Sequence, residues 1–168
     1  MSAPITLCGS LSLRPVRLGA VMHEAGYRAL GLDYRYVPFA ATSASLPEAV
    51  RAMRSLGIRG LGVSMPFKIE VLALIDALDP LASRIGATNT LVNDAGRITG
   101  HNTDAEGAVR ALCAAAGDLD GARILVLGAG GAARAVVVGL KGQRAQVTLT
   151  NRTEASGRAL ANELVCSF

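Results

Sequence analysis

The run ILVLGAGGAARAVVVGL, from Ile124 to Leu140, restricts what this chain can fold into more than any other stretch. An apolar strand ends on Gly128, and Gly130 and Gly131 open a segment in which apolar residues return at helical spacing. Strand, glycine turn and helix in that order, with Ala133 closing the pattern, form the G-x-G-x-x-A version of a dinucleotide fingerprint. Gly128, Ala129, Gly130, Gly131 and Ala132 are therefore the candidate cofactor contacts. The glycines let backbone amides approach a pyrophosphate, and the helix N-terminus offsets its charge. The plainer alternative is a glycine turn that only packs strand on helix. The same glycines, with Arg134, interrupt the apolar run and argue against a membrane span.

Elsewhere the punctuation alternates strand and helix in the same way. ITLCGSL reads as a strand, and 17–30 as a helix with Leu18, Val21, Met22 and Ala25 on its apolar face and Gly31 at its end. DYRYVPF alternates with period two. SLPEAVRAMRSLG opens with Ser45 and Glu48 at capping-box spacing and stops on Gly57. IRGLGVS is a continuous apolar strand of the kind buried on both faces, and the region from Phe67 to Ile85 is expected to be helical. TNTLVNDAGRITG reads as two strands joined by a turn at Asp94, Ala95 and Gly96. TDAEGAVRALCAAAG is a helix with Thr103 and Glu106 at capping-box spacing. ARILVLG, AQVTLTN and EASGRALANEL add a strand, a strand and a helix around the glycine turn. Such alternation predicts an α/β fold with largely parallel sheets.

The residues after the second strand of the nucleotide unit bear on the cofactor. An Asp or Glu there accepts hydrogen bonds from a ribose 2′-hydroxyl, whereas an Arg accommodates a 2′-phosphate. Here Asn151, Arg152 and Thr153 follow the strand, with no acid, and the planar donor fork of Arg152 suits phosphate. NADP is expected over NAD; the alternative is that Arg152 is a solvated residue at a strand end.

Within GVSMPFK, a Pro66 at the first helical position would put Lys68 in the first turn, where the macrodipole disfavours a cation. Composition narrows the partners. The 168 residues carry 17 Lys and Arg against 13 Asp and Glu, a net charge of +4, and the arginines are scattered rather than clustered. That pattern fits an anionic small molecule and argues against nucleic acid. Cys8, Cys113 and Cys166 lie far apart with no C-x-x-C pairing, which fits a reducing cytoplasm and neither a disulfide framework nor zinc. His23 and His101 have no ligand partners at metal spacing, so no metal is expected.

GVSMPFK, IGATNT, HNTD, GAGGAARA and NRT, in that order, resemble the motifs of shikimate dehydrogenases, and more closely the shikimate dehydrogenase-like subgroup that carries S-L-S-x-R-P near its start. The resemblance covers essentially the whole chain. It implies a substrate-binding α/β domain over 1–104, then an incomplete Rossmann-like NADP-binding domain over 105–168. It also implies reversible, NADP-dependent reduction of 3-dehydroshikimate to shikimate, in the cytoplasmic route to chorismate and aromatic amino acids. By the same resemblance Lys68 and Asp104 are the catalytic pair, and Ser10, Ser12, Ser64 and Asn89 contact substrate. Asp104 on its own could simply be an acid improving a helix N-terminus, and Lys68 a surface lysine.

Some positions depart from the family pattern. Gly9 stands where ordinary members have His in H-S-x-S-P, and Leu13 and Arg14 intervene before Pro15. Arg14 either adds a charge-assisted bond to the ring carboxylate or covers the strand end, so the substrate is expected to be shikimate, quinate or a related ring acid. Arg158 is a second candidate for the 2′-phosphate, displaced from the family's place. The pattern stops after βαβα where a mononucleotide-binding half needs βαβαβ. The chain is thus expected to be a shortened form, with a sheet edge at Val147 to Thr150 that a second copy would cover. Two other readings remain at this level: a non-catalytic piece that binds the ring acid or nucleotide without turnover, and a regulator that senses NADPH alone.

Overall fold

Residues 5–168 are described by a computed structural model. Strands β1 (Thr6–Ser12), β2 (Tyr34–Ala40), β3 (Gly60–Val63), β4 (Ala77–Leu78), β5 (Thr90–Asp94) and β6 (Arg97–His101) form one sheet in the order β2-β1-β3-β5-β6-β4. β1 pairs in parallel with β2 and β3, whereas β5 runs antiparallel to both β3 and β6. The hairpin between β5 and β6 turns on Ala95 (φ 51°) and Gly96 (φ 93°), the two left-handed residues a two-residue turn demands.

One face of this sheet carries the core. Leu11, Leu61, Val63, Leu91 and Ile98 pack against Leu46, Val50 and Met53 of helix α2 (Leu46–Ser55), with Phe67 and Val71 closing the cluster. The other face presents Cys8, Ser10, Gly60 and Gly62 beneath helix α1 (Leu18–Ala29), so β3 is buried on one face rather than on both. The helix is where the sequence places it, but its orientation is not. Leu18, Val21 and Met22 are 76%, 63% and 63% exposed, and no residue of α1 is buried. The inward side is aromatic: His23 stacks on Tyr36 at 4.3 Å, and Gly19 lies against the same ring. Ring stacking, not aliphatic periodicity, sets the rotation of α1.

The expected capping box at Ser45 does not form. Ser45 Oγ accepts the Thr42 N–H at 2.9 Å instead, closing the turn before α2. Between Phe67 and Ile85 the chain is less helical than expected: a 3₁₀ turn at Glu70–Leu74, the short strand β4, and helix α3 (Pro80–Ile85).

The chain divides into two compact units, one comprising residues through Pro80 with Thr88–His101, the other Leu81–Ala87 with Asn102–Phe168. In the second unit, α4 (Asp104–Ala116) precedes the parallel pair β7 (Arg123–Leu127) and β8 (Gln146–Thr150), with α5 (Gly131–Gly142) between them and α6 (Glu154–Leu164) after them. α3 joins this unit through Arg134, whose Nη1 donates to Ile85 O at 3.4 Å while both terminal nitrogens engage the Glu163 carboxylate.

The β8 edge is partly met within the chain. Leu149 N–H donates to Ser167 O at 2.8 Å and Ser167 N–H to Val147 O at 3.2 Å, so the last residues pair in parallel with β8. Part of the edge expected to need a second copy is thus met by the chain's own residues.

α4 and α5 pack with little space between them. A Cβ on Gly139 would sit 2.9 Å from Ala105 O, a backbone atom. Gly139→Val is therefore expected to cost about 1–3 kcal/mol through overpacking, read as a lower urea midpoint. An unchanged midpoint would show that the two helices separate freely.

Candidate functional site

β1 and β3 are parallel neighbours, so their C-terminal ends lie side by side, and the chain leaves them as Leu13–Pro15 and Ser64–Pro66. Leu13 N–H donates to Met65 O at 3.2 Å and Ser64 N–H to Leu11 O at 3.0 Å, which holds the two exits together. Between them is a recess of about 260 Å³ lined by Ser12, Leu13, Arg14, Ser64, Met65 and Pro66. The outer ends of parallel strands are where open α/β sheets bind ligands. Two hydroxyls and a guanidinium around one small recess are suited to a carboxylate.

Asn89 lies on the same rim, since Val63 N–H donates to its carbonyl at 2.7 Å and its own N–H reaches His101 O at 3.0 Å. Its side-chain Oδ1 accepts from Thr90 Oγ1 at 2.9 Å. Ser10 is one residue pair further back on β1 and hydrogen-bonds the Tyr36 hydroxyl. Burial pushes the Tyr36 phenol up, and the Ser10 bond acts the other way. The glycine at position 9 has a physical reason. A Cβ there would stand 2.1 Å from Val37 O and 2.7 Å from the Phe39 ring, so no side chain, His included, fits.

Lys68 is not in the first turn of a helix. The Met65–Pro66 peptide is cis, and Phe67 N–H donates to Ser64 O at 3.0 Å, which closes a turn rather than starting a helix. Pro66 is therefore not a first helical residue, and the macrodipole argument for Lys68 falls. Its place is set instead by its neighbours. Phe67 is fully buried in the core, and Thr88 N–H donates to Lys68 O at 2.8 Å, leaving Lys68 half-buried.

In the second unit the glycine turn fits a pyrophosphate. Gly128 has φ 118°, a conformation that favours glycine, and its N–H donates to Thr150 O at 2.7 Å. Gly130 is extended at the cap of α5, and a Cβ on it or on Gly128 would meet nothing within 4 Å. Ala129 lies between them, and Gly131 and Ala132 begin the helix. After β8, Asn151 Nδ2 donates to Thr153 O at 2.8 Å and to Ser156 Oγ at 2.9 Å, which shapes the turn into α6 with Thr153 as its cap residue. Arg152 on that turn is exposed, and among the described residues no carboxylate pairs with it. Arg158 is engaged elsewhere, bonded to Glu154 Oε1 at 2.7 Å and lying 4.8 Å over the Phe168 ring.

Beneath the glycine turn, the Arg134 guanidinium holds the Glu163 carboxyl below its ordinary value of 4.5. A carboxyl depressed in the folded state adds stability above its unfolded pKa and loses it as pH falls through the folded one. The advantage over Glu163→Gln is thus expected to be full above about pH 4.5 and to fade below it. Urea midpoints across acid pH check this; a difference that stays constant into acid would assign the effect to packing.

Asp104 is the first residue of α4, as its spacing indicates, but Thr103 makes no side-chain cap bond. Asn102, which sequence spacing did not single out, supplies it: its Oδ1 accepts the Asp104 N–H at 3.0 Å. An Asn two residues before an acid at a helix start is the signal that could have found it. His101 Nδ1 lies 2.7 Å from Asp79 Oδ2, a pair separated by too much sequence to be read from spacing. Among the described residues no group of three or more His, Cys, Asp or Glu could hold a metal ion, and no helix is long and apolar enough to cross a membrane.

Comparison with known proteins places this geometry. Residues 15–91 match the family model described as shikimate dehydrogenase substrate binding domain, and residues 111–167 match shikimate / quinate 5-dehydrogenase. A shikimate dehydrogenase (NADP(+)) of Haloarcula marismortui is 50% identical over 147 residues, 88% of this chain and 55% of that protein. The chain thus spans about half the length of the curated relatives it matches. The crystal structure of shikimate dehydrogenase from Aquifex aeolicus superposes with a TM-score of 0.94 at 34% identity, covering 99% of this chain and 63% of that one. Shikimate 5-dehydrogenase from Thermus thermophilus, solved with NADP(H) and shikimate, gives 0.88 at 37% identity, covering 96% and 62%. With both family models matched in order and the same two-part α/β architecture, the chain belongs to the shikimate dehydrogenase family.

Proposed function

We propose that this chain carries the substrate-binding unit and the start of the NADP-binding unit of an NADP-dependent oxidoreductase. Its reaction is the reversible reduction of 3-dehydroshikimate to shikimate, or of a closely related ring acid such as quinate. The observation that carries this is the recess at the ends of β1 and β3, where Ser12, Arg14 and Ser64 surround a space suited to a carboxylate, with Lys68 following in the same turn. The Thermus relative was solved with NADP(H) and shikimate, which supports both ligand classes.

The residues present fit the cofactor. Gly128, Gly130 and the first amides of α5 would hold the pyrophosphate, and Arg152 the 2′-phosphate, with Asn151 and Thr153 shaping its turn. Bound nicotinamide supplies the hydride chemistry. Ser10, Ser12, Arg14, Ser64 and Asn89 bind and orient the ring. Lys68 and Asp104 hold and pass the proton of the ring hydroxyl, as general acid–base groups do. The three free cysteines fit a reducing compartment, and we read the protein as cytoplasmic.

Following NADPH absorbance with shikimate, quinate and their dehydro forms tests the proposal. Turnover of one ring acid supports it. Binding of a ring acid with no change in NADPH would replace it with a binding-only role, and binding of neither ligand would end it.

A further inference from the structure

Asn102 is 4% exposed and uses both ends of its amide. Nδ2 donates to Ala87 O at 2.9 Å, and Oδ1 accepts the Asp104 N–H at 3.0 Å. The second bond is an Asx turn, in which an Asn side chain engages the backbone two residues on. It satisfies one of the first-turn N–H groups that a helix cannot satisfy internally. The first bond reaches across to the IGATNT segment. Ala87 is fully buried and belongs to the same small-residue cluster as Ala105, Ala135 and Val138.

The residue after Asp104 is fixed as tightly. Ala105 is 2% exposed, and its carbonyl faces α5 at the point where Gly139 has no side chain. Asp104 is therefore held on both sides, its own amide by Asn102 and the next residue by a close helix contact.

We infer that Asn102 is a positioning residue for Asp104: by accepting the Asp104 N–H while anchored to the Ala87 carbonyl, it fixes the first turn of α4 and with it the carboxylate proposed to exchange the hydroxyl proton. This rests on the reading of Asp104 given above. Small misplacements of a reacting group are costly, on the order of 10²-fold for about 1 Å. The pairing also gives a physical reason for the joint presence of the IGATNT and HNTD motifs.

Three variants separate the possibilities. Asn102→Ala removes both bonds; Asn102→Ser keeps a hydroxyl able to accept the Asp104 N–H in the equivalent Ser turn, but loses the Ala87 link; Asp104→Asn tests the carboxylate itself. The expected result is a kcat lower by about 10- to 100-fold in Asn102→Ala, with the KM for NADPH unchanged. Asn102→Ser should stay within about threefold of the parent kcat although it too is destabilised, because it leaves Ala87 O without its donor; Asn102→Ala should be destabilised further, since it also leaves the Asp104 N–H unmet. Hydrogen exchange at the Asp104 amide is read in parallel and does not depend on turnover. It should be slow in the parent chain and Asn102→Ser, and faster in Asn102→Ala. Unchanged exchange at that amide in Asn102→Ala overturns the inference. So does a loss of kcat that follows stability equally in the Ala and Ser variants, the mark of a purely structural residue. If Asp104→Asn turns over normally, the assigned role of Asp104 has failed and the inference with it. If Asp104→Asn is inactive while Asn102→Ala is not, only the inference fails.

Discussion

Lys68→Ala is expected to lower kcat by about 10²- to 10⁴-fold, the usual effect of deleting a group that transfers a proton in the transition state. The KM for NADPH should be unchanged, because Lys68 belongs to the first unit, and the glycine turn and Arg152 to the second. The buried Phe67 ring and the bond to the Lys68 backbone carbonyl both survive the substitution, and a urea midpoint taken alongside separates lost chemistry from lost folding. Steady-state kinetics with the ring acid and NADPH as varied substrates give the answer. A kcat within a few-fold of the parent would remove Lys68 from the chemistry and leave it a binding residue at most.

The second large effect is on cofactor choice. Arg152→Ala should raise the KM for NADPH by about 10- to 100-fold, which corresponds to a charge-assisted hydrogen bond of about 1.5–3 kcal/mol. The KM for NADH should change little, since NADH lacks the 2′-phosphate. Arg158→Ala is the matched control. Its guanidinium is already held by Glu154 and Phe168, so it should shift the two cofactors equally or not at all. If Arg158→Ala erased the preference and Arg152→Ala did not, the roles of the two arginines would be exchanged.

What could be read from sequence follows the reach of each interaction. The glycine turn, the helix start at Asp104 and the β5–β6 hairpin are written in neighbouring residues, and the structure places them as read. The setting of Lys68 was misread because the turn from Ser64 to Phe67 answers to the burial of the Phe67 ring against residues far away in sequence. The capping boxes at Ser45 and Thr103 had the right spacing, but nearby polar groups offer other bonds: Ser45 Oγ is taken by the Thr42 N–H, and Asn102 caps the start of α4 by accepting the Asp104 N–H. The spacing of Asn102 to Asp104 is local, but the anchor of Asn102, Ala87, is distant in sequence and contributes only a carbonyl. The pairing of Ser167 with β8 escaped notice because Cys166–Phe168 is too short to show a strand period.

The outward turn of the α1 aliphatics bears on how the first unit comes apart. α2 is pinned by Leu46, Val50 and Met53, all essentially inaccessible, whereas α1 is held by ring stacking and has no buried residue. Elements with little buried apolar surface open before the rest of a fold does. α1 should therefore detach as a separate step while β1 and α2 stay intact, and its protons should exchange with solvent well ahead of theirs.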